Sequence, residues 1–194
     1  MTHRNRVDPA GEIVAESYRG DWMGNRGGPI ELNTKRQQWA SRHWIYCHLD
    51  FNSRKRVFRD PGRKYTELFF FDEAVALAAG HRPCGECQHH RLLEFKSFVG
   101  TTSKAPVVDE IDGILHSQRR GPADLVPVRA LPSGTFVDVN GPVLLWEEQA
   151  FRWRSSGGYT PVDTLAPLRK VRVLTPGLTR AALEQGFVPS VRIG

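Results

Sequence analysis

Apolar and polar positions change their rhythm several times along this chain, and each rhythm predicts a different kind of element. From Arg42 to Asp50 the run RHWIYCHLD alternates in bulk as a sheet strand does, and RKRVF (54–58) and YTELFFF (65–71) read as further strands around a turn at Asp60, Pro61 and Gly62. Asp72 then stands where a helix N-cap belongs, EAVALAA is a compact run of helix formers, and Gly80 offers a left-handed stop. In GECQHHRLLEFKSFV the apolar positions Leu92, Leu93, Phe95, Phe98 and Val99 form a helical stripe. A third helix starts near 103–106, with Ile111, Ile114 and Leu115 on its apolar face and His116 well off it. Beyond Gly121 strands return: TFVDV, an Asn140-Gly141 turn, PVLLW, AFRW, an SSGG turn and VRVL. Asn-Gly between two apolar runs is a strong hairpin signal. A short helix over about Pro176 to Gln185, stopped by Gly186, closes the chain.

These rhythms divide the chain into three regions. Residues 1–40, where Gly20, Gly24, Gly27, Gly28 and Pro29 interrupt every regular pattern, read as an irregular N-terminal arm wrapping a later domain. Residues 41–120 make an α/β unit of ββαα type with one extra helix, and residues 121–194 an antiparallel β-rich region with a closing helix. A faint echo joins the last two: TELFFFDEAVALAAGHRP and VRVLTPGLTRAALEQGFVP both read as strand, cap, Ala/Leu-rich helix, glycine, aromatic ring, one residue, proline. The second copy has Phe187 where the first has His81, so the slot after the glycine is expected to be inward-facing. His81 is there either as a packed core residue or as a polar substitution with a purpose.

Composition narrows the setting. The chain has 194 residues, 40% apolar and 25% charged, enough for one sizeable core or two small ones. No run approaches the ~20 apolar residues of a membrane span, and MTHRNRVDPAGE carries charge without an apolar stretch behind it, so the expectation is no membrane association and a cytoplasmic location. Three cysteines are odd in number and too sparse for a disulfide scaffold, which directs the close pair Cys84 and Cys87 toward metal or redox chemistry.

The formal charge of +6 is concentrated. Residues 35–64 hold Lys35, Arg36, Arg42, Arg54, Lys55, Arg56, Arg59, Arg63 and Lys64 against Asp50 and Asp60, a local net of +7. Trp39, Trp44, Tyr46, Phe51, Phe58 and Tyr65 are interleaved with them. Such a block attracts a phosphate backbone and offers rings to unpaired bases, so Arg42, Arg54, Lys55, Arg56, Arg59, Arg63 and Lys64 are candidate nucleic-acid contacts, DNA ahead of RNA. The plainer reading is a solvated hairpin whose rings belong to the core.

The candidate chemistry lies in HRPCGEC, His81 to Cys87, directly behind the first helix. Two thiolates at C-x-x-C spacing can clasp one metal ion, and Zn2+ asks for four ligands in a tetrahedron.

With IYC (45–47) and LFFFDEAVALAAGHRPCGECQ, this segment resembles the N-terminal metal-binding module of the Ada-type methyl-phosphotriester repair proteins, over roughly residues 40–98. Four cysteines bind zinc in that family. The resemblance implies Cys47, Cys84 and Cys87 as three of the ligands, with Cys47 in the place of the cysteine that accepts a methyl group from a DNA phosphate. The family's fourth position, four residues past the strand cysteine, is Phe51 here. A histidine must therefore fill a closed site. His81 is preferred because a loop folds back more easily than a strand gathers neighbouring side chains, and His43, His48, His89 and His90 remain alternatives.

The fold expected is thus α+β, a zinc-stapled ββαα unit followed by a small antiparallel sheet with flanking helices. The function expected is nucleic-acid binding with the metal mainly structural. The alternatives are enzymes on nucleic acid: a nuclease with His81 or His116 activating water and Arg82, Arg119 or Arg120 holding phosphate, or alkyl transfer to Cys47. A nucleobase deaminase fits less well, since its HxE half would have to be His48 with Asp50. A protein-interaction module is a further class, with the C-terminal sheet as a surface for a partner.

Overall fold

The computed structural model describes residues 3–34, 37–53, 62, 64–100 and 106–193. Among these, a first sheet gathers β1 (Arg6–Val7), β2 (Ile13–Val14), β3 (Trp22–Arg26), β4 (Trp44–His48), β5 (Leu68–Phe70) and β6 (Arg82–Pro83) in the order β2-β1-β5-β3-β4-β6. β1 with β5 and β4 with β6 run parallel, and the other neighbours antiparallel. The expectation of an irregular arm over residues 1–40 is therefore corrected, since β3 lies inside the sheet between β5 and β4. Its glycine is a packing device, not a breaker: a Cβ on Gly24 would sit 2.1 Å from the Ile45 carbonyl oxygen. The expected strand RKRVF lies outside the described residues.

Helix α1 (Glu73–Ala78) is buried along its whole length, which suits its small alanines. The Asp72 cap forms as expected, with Oδ1 accepting from the Val75 amide at 2.9 Å. Helix α2 (His89–Val99) buries Leu92, Phe95 and Val99 but leaves Leu93 exposed, and α3 (Val108–Arg120) buries Ile111 and Leu115 while Ile114 faces out. Asp112, one residue from Ile111 and one turn from Leu115, is buried with them.

The second sheet is antiparallel throughout, in the order β11-β10-β9-β8-β12-β7 among the described residues. It consists of β7 (Leu125–Pro127), β8 (Thr135–Asp138), β9 (Pro142–Trp146), β10 (Gln149–Trp153), β11 (Tyr159–Val162) and β12 (Lys170–Val173). The β8–β9 hairpin turns at Asn140 and Gly141, whose φ of 53° and 108° suit a tight primed turn. Helix α4 (Gly177–Glu184) closes the chain against α2, where Phe187 meets Phe95 edge-on at 5.3 Å. α+β architecture is what the alternation of patterns predicts.

One core serves both sheets. Tyr18 and Phe71 from the first sheet's side meet Trp153 and Tyr159 of the second at ring separations of 5.3 to 5.8 Å, all edge-to-face. Asp72 ties the same seam: its Oδ2 accepts from the Tyr159 hydroxyl at 2.7 Å and from the Arg192 amide at 3.1 Å. Burial pushes the Asp72 carboxyl up to about 6, so the folded chain holds that proton more tightly than the unfolded one. This group's contribution to stability accordingly falls as pH rises between about 4 and 6. Asp72→Ala removes a cap and orphans the buried Tyr159 hydroxyl, with an expected loss of about 2–4 kcal/mol in denaturant unfolding.

Candidate metal centre

Sequence and pairing together bring the cysteines to one place. On β4 the period of two puts Ile45 and Cys47 on one face and Trp44, Tyr46 and His48 on the other. Cys47 pairs with Met23 of β3. After α1 the chain turns at Gly80, and β6 then runs parallel to β4, with Ile45 opposite Arg82 and Tyr46 opposite Pro83. The Cys84 amide donates to the Tyr46 carbonyl at 3.0 Å, so the knuckle begins beside Cys47. The Gln88 side chain donates to the same carbonyl at 2.9 Å and fixes where the knuckle ends and α2 begins.

The Sγ atoms of Cys47, Cys84 and Cys87 all lie within 4.8 Å of one another. Sulfurs sharing one tetrahedral zinc stand about 3.8 Å apart, so small movements close the set around an ion. Cys47 and Cys84 are 8% and 7% exposed and Cys87 is half-buried, with Met23, Leu49, Tyr65 and Phe69 packed around the group. Backbone amides point at the sulfurs: Glu86 N–H donates to Cys84 Sγ at 3.4 Å, the Cys87 amide also reaches Cys84, and the His48 amide reaches Cys87. Hydrogen bonds from Cys47 and then Cys87 hold the Cys84 thiol down to about 2, while its bonds to Cys84 and Cys87 push the Cys47 thiol up. A divalent cation bound by the three sulfurs would favour their thiolate forms. An all-thiolate donor set suits a soft or borderline metal rather than magnesium or calcium.

His81 does not join them, and its expected role as fourth ligand is corrected. It is 0% exposed, with its ring 4.6 Å from Phe70 and 5.0 Å from Trp44. Its Nε2 accepts from Arg26 Nε at 3.4 Å, and Nδ1 is buried without a partner. Burial first, then Arg26 and Arg119, keep its imidazole well below the usual histidine range. The cause is the helix ending. His81 N–H bonds back to the Ala76 carbonyl, and Phe187 N–H bonds to Ala182 in the same way, each behind a glycine that bonds one turn back. That geometry turns the following side chain under its own helix, so both rings face the core.

The other histidines are placed elsewhere too. His43 Nδ1 lies 2.8 Å from Asp112 Oδ2, beside the bidentate Arg82–Asp112 ion pair at 2.8 and 2.7 Å. His48 stacks on Trp22 at 5.0 Å, and His89 and His90 are exposed. Phe51 is half-buried. Among the described residues, then, the group close enough to hold a metal ion is the three cysteines. Cys87 borders a cavity of about 500 Å3 together with Trp22, His48, His89, His90 and Arg91.

Of the basic block, Arg54, Lys55, Arg56, Arg59 and Arg63 lie outside the described residues. Lys64 is exposed, and Arg42 pairs with Asp109 at 2.6 Å. Pattern reading missed the Arg82–Asp112–His43 cluster, whose signal was an aspartate on the apolar face of a helix.

Fold and site together define an α+β protein with three thiols close enough to hold a metal ion. No protein-family model, curated protein or solved structure matches the chain. No helix among the described residues is long and apolar enough to cross a membrane. Cobalt(II) titration separates the roles of Cys84 and His81: His81→Phe is expected to keep the thiolate-to-cobalt absorption, and Cys84→Ser to lose most of it.

Proposed function

We propose that this chain binds zinc through Cys47, Cys84 and Cys87, that the metal acts mainly as a structural node, and that residues 35–64 contact nucleic acid. The observation that carries the metal reading is the mutual approach of the three sulfurs within 4.8 Å. When bound, zinc supplies the charge that ionises the thiols and a fixed tetrahedral junction. Here that junction ties β4 to a knuckle 37 positions further along the chain, closing a loop that contains Arg54, Lys55, Arg56, Arg59, Arg63 and Lys64 of the basic segment. One coordination position falls to a group from outside the trio.

The nucleic-acid reading rests on the +7 charge of residues 35–64 and their interleaved rings. The enzyme readings have less support. His81 is sealed from solvent, and Arg82 is already neutralised by Asp112, so neither is presented to a phosphodiester. Alkyl transfer to Cys47 would have to reach a thiol that is 8% exposed.

Elemental analysis of purified protein is expected to find about one zinc per chain, and chelation to lower the melting temperature. A protein that purifies without metal and does not bind it on refolding with zinc overturns the metal reading. Oligonucleotide affinity is expected to fall with salt, log K declining by about 0.7–0.9 per phosphate neutralised as log salt rises. Absent or salt-insensitive binding overturns the nucleic-acid reading and leaves the metal site untouched.

A further inference from the structure

Among the described residues, Arg26 is buried and Arg119 half-buried with no carboxylate in direct ion pair with either. Arg26 is 2% exposed, and its donors go to the Gly11 carbonyl at 2.7 Å, the Gln38 carbonyl at 3.5 Å and His81 Nε2 at 3.4 Å. Arg119 is half-buried; it donates to the Gly80 and Arg42 carbonyls and lies 3.4 Å from His116 Nδ1, and its Nε–H is buried with no acceptor. Both guanidiniums lie over the same indole, 3.9 and 4.1 Å from the Trp44 centroid. The other buried arginines are treated differently. Arg82 has Asp112 and Arg91 has Glu73, each in a bidentate pair.

Carbonyls and rings satisfy donors but supply no countercharge. Burial lowers both arginines, Arg26 to about 9 with Arg119 as the next cause, and Arg119 to about 10. Both line a cavity of about 620 Å3 between the two sheets and the C-terminal end of α3. Its carboxylates are Glu12 and Asp124; Glu12 is exposed at the rim, and Asp124 is paired with Arg180. Trp39 and Trp44 give it an aromatic wall. A cavity of that size accommodates a ligand as large as a mononucleotide.

We propose that this cavity is an anion site for a phosphomonoester, held by Arg26 and Arg119. A phosphomonoester carries close to two negative charges at neutral pH, which matches two guanidiniums that, among the described residues, have no carboxylate in direct ion pair; a carboxylate or an internal phosphodiester carries one. Arginine's planar fork suits phosphate oxygens. The phosphate can belong to a free small molecule or to the end of a nucleic-acid strand, and the chemistry recognised is the same. Neither the zinc nor the charge of residues 35–64 is required for it.

Melting of the intact protein in millimolar phosphate against chloride at equal ionic strength tests this directly, together with calorimetry on adenosine monophosphate and on adenosine. Phosphate is expected to raise the melting temperature, and the nucleotide to bind where the nucleoside does not. Arg119→Gln is expected to weaken nucleotide binding about tenfold or more and Arg119→Lys to weaken it less. An oligonucleotide with a terminal phosphate that binds about tenfold tighter than its hydroxyl-ended twin assigns the site to strand ends; equal binding, with the nucleotide still bound, assigns it to a small molecule. No shift with phosphate and no nucleotide binding in the unmodified protein overturns the proposal. So does a folded Arg119→Gln variant that binds the nucleotide as the original chain does.

Discussion

Two adjacent carboxylates at the start of α1 hold this structure together. Asp72 and Glu73 are both buried, and they reach in different directions. Asp72 joins its own helix to Tyr159 of the second sheet and to the Arg192 amide of the C-terminal tail. Glu73 accepts from the Tyr46 hydroxyl of β4, from Arg91 of α2 at 2.8 Å through both oxygens, and from the Ser190 amide. A buried carboxylate is costly unless every lone pair is used, and removing one partner of such a pair typically costs about 3–5 kcal/mol. The arrangement is therefore cooperative. The sheets, α2 and the tail need these acids as much as the acids need them.

The candidate metal centre hangs from this junction through Tyr46. The Tyr46 hydroxyl is held by Glu73, while its carbonyl receives the Cys84 amide and the Gln88 side chain. Arg91, on the first turn of α2, is pinned between Glu73, the Val188 carbonyl and the ring of Phe187. Both ends of the knuckle are thus positioned by protein contacts alone. This preorganisation explains how Cys84 and Cys87 face Cys47 although the two segments are distant in sequence.

Much of this was legible locally. The Asp72 cap, the alanine-rich helix, the glycine stop, the Asn140-Gly141 hairpin and the cysteine knuckle each depend on a few neighbouring residues, and each formed where its pattern predicts. What escaped depends on pairing across long distances. β3 was hidden because its glycine signals a break locally, while in the sheet the same glycine permits close approach to Ile45. β1, β2 and β6 span two residues each, too few to show a period. For His81 the internal echo held the answer: Phe187 occupies the equivalent slot behind the same helix ending and is equally buried. The ease with which a loop folds back suggested a ligand, but helix-end geometry decides where that side chain turns.

β4 is where these constraints meet. Its alternation assigns Cys47 to the face carrying Met23 and Phe69, while Trp44 and Tyr46 go to the face covered by α1. On one face three thiols lie close enough together to hold a cation. On the other, two guanidiniums lie over the Trp44 ring. A one-residue slip of β4 against β3 would exchange these faces, placing the bulk of Trp44 and Tyr46 against the cysteine knuckle and removing Tyr46 from Glu73. The Glu73–Tyr46 hydrogen bond opposes that slip. The same register that brings the cysteines together therefore sets the two arginines over Trp44.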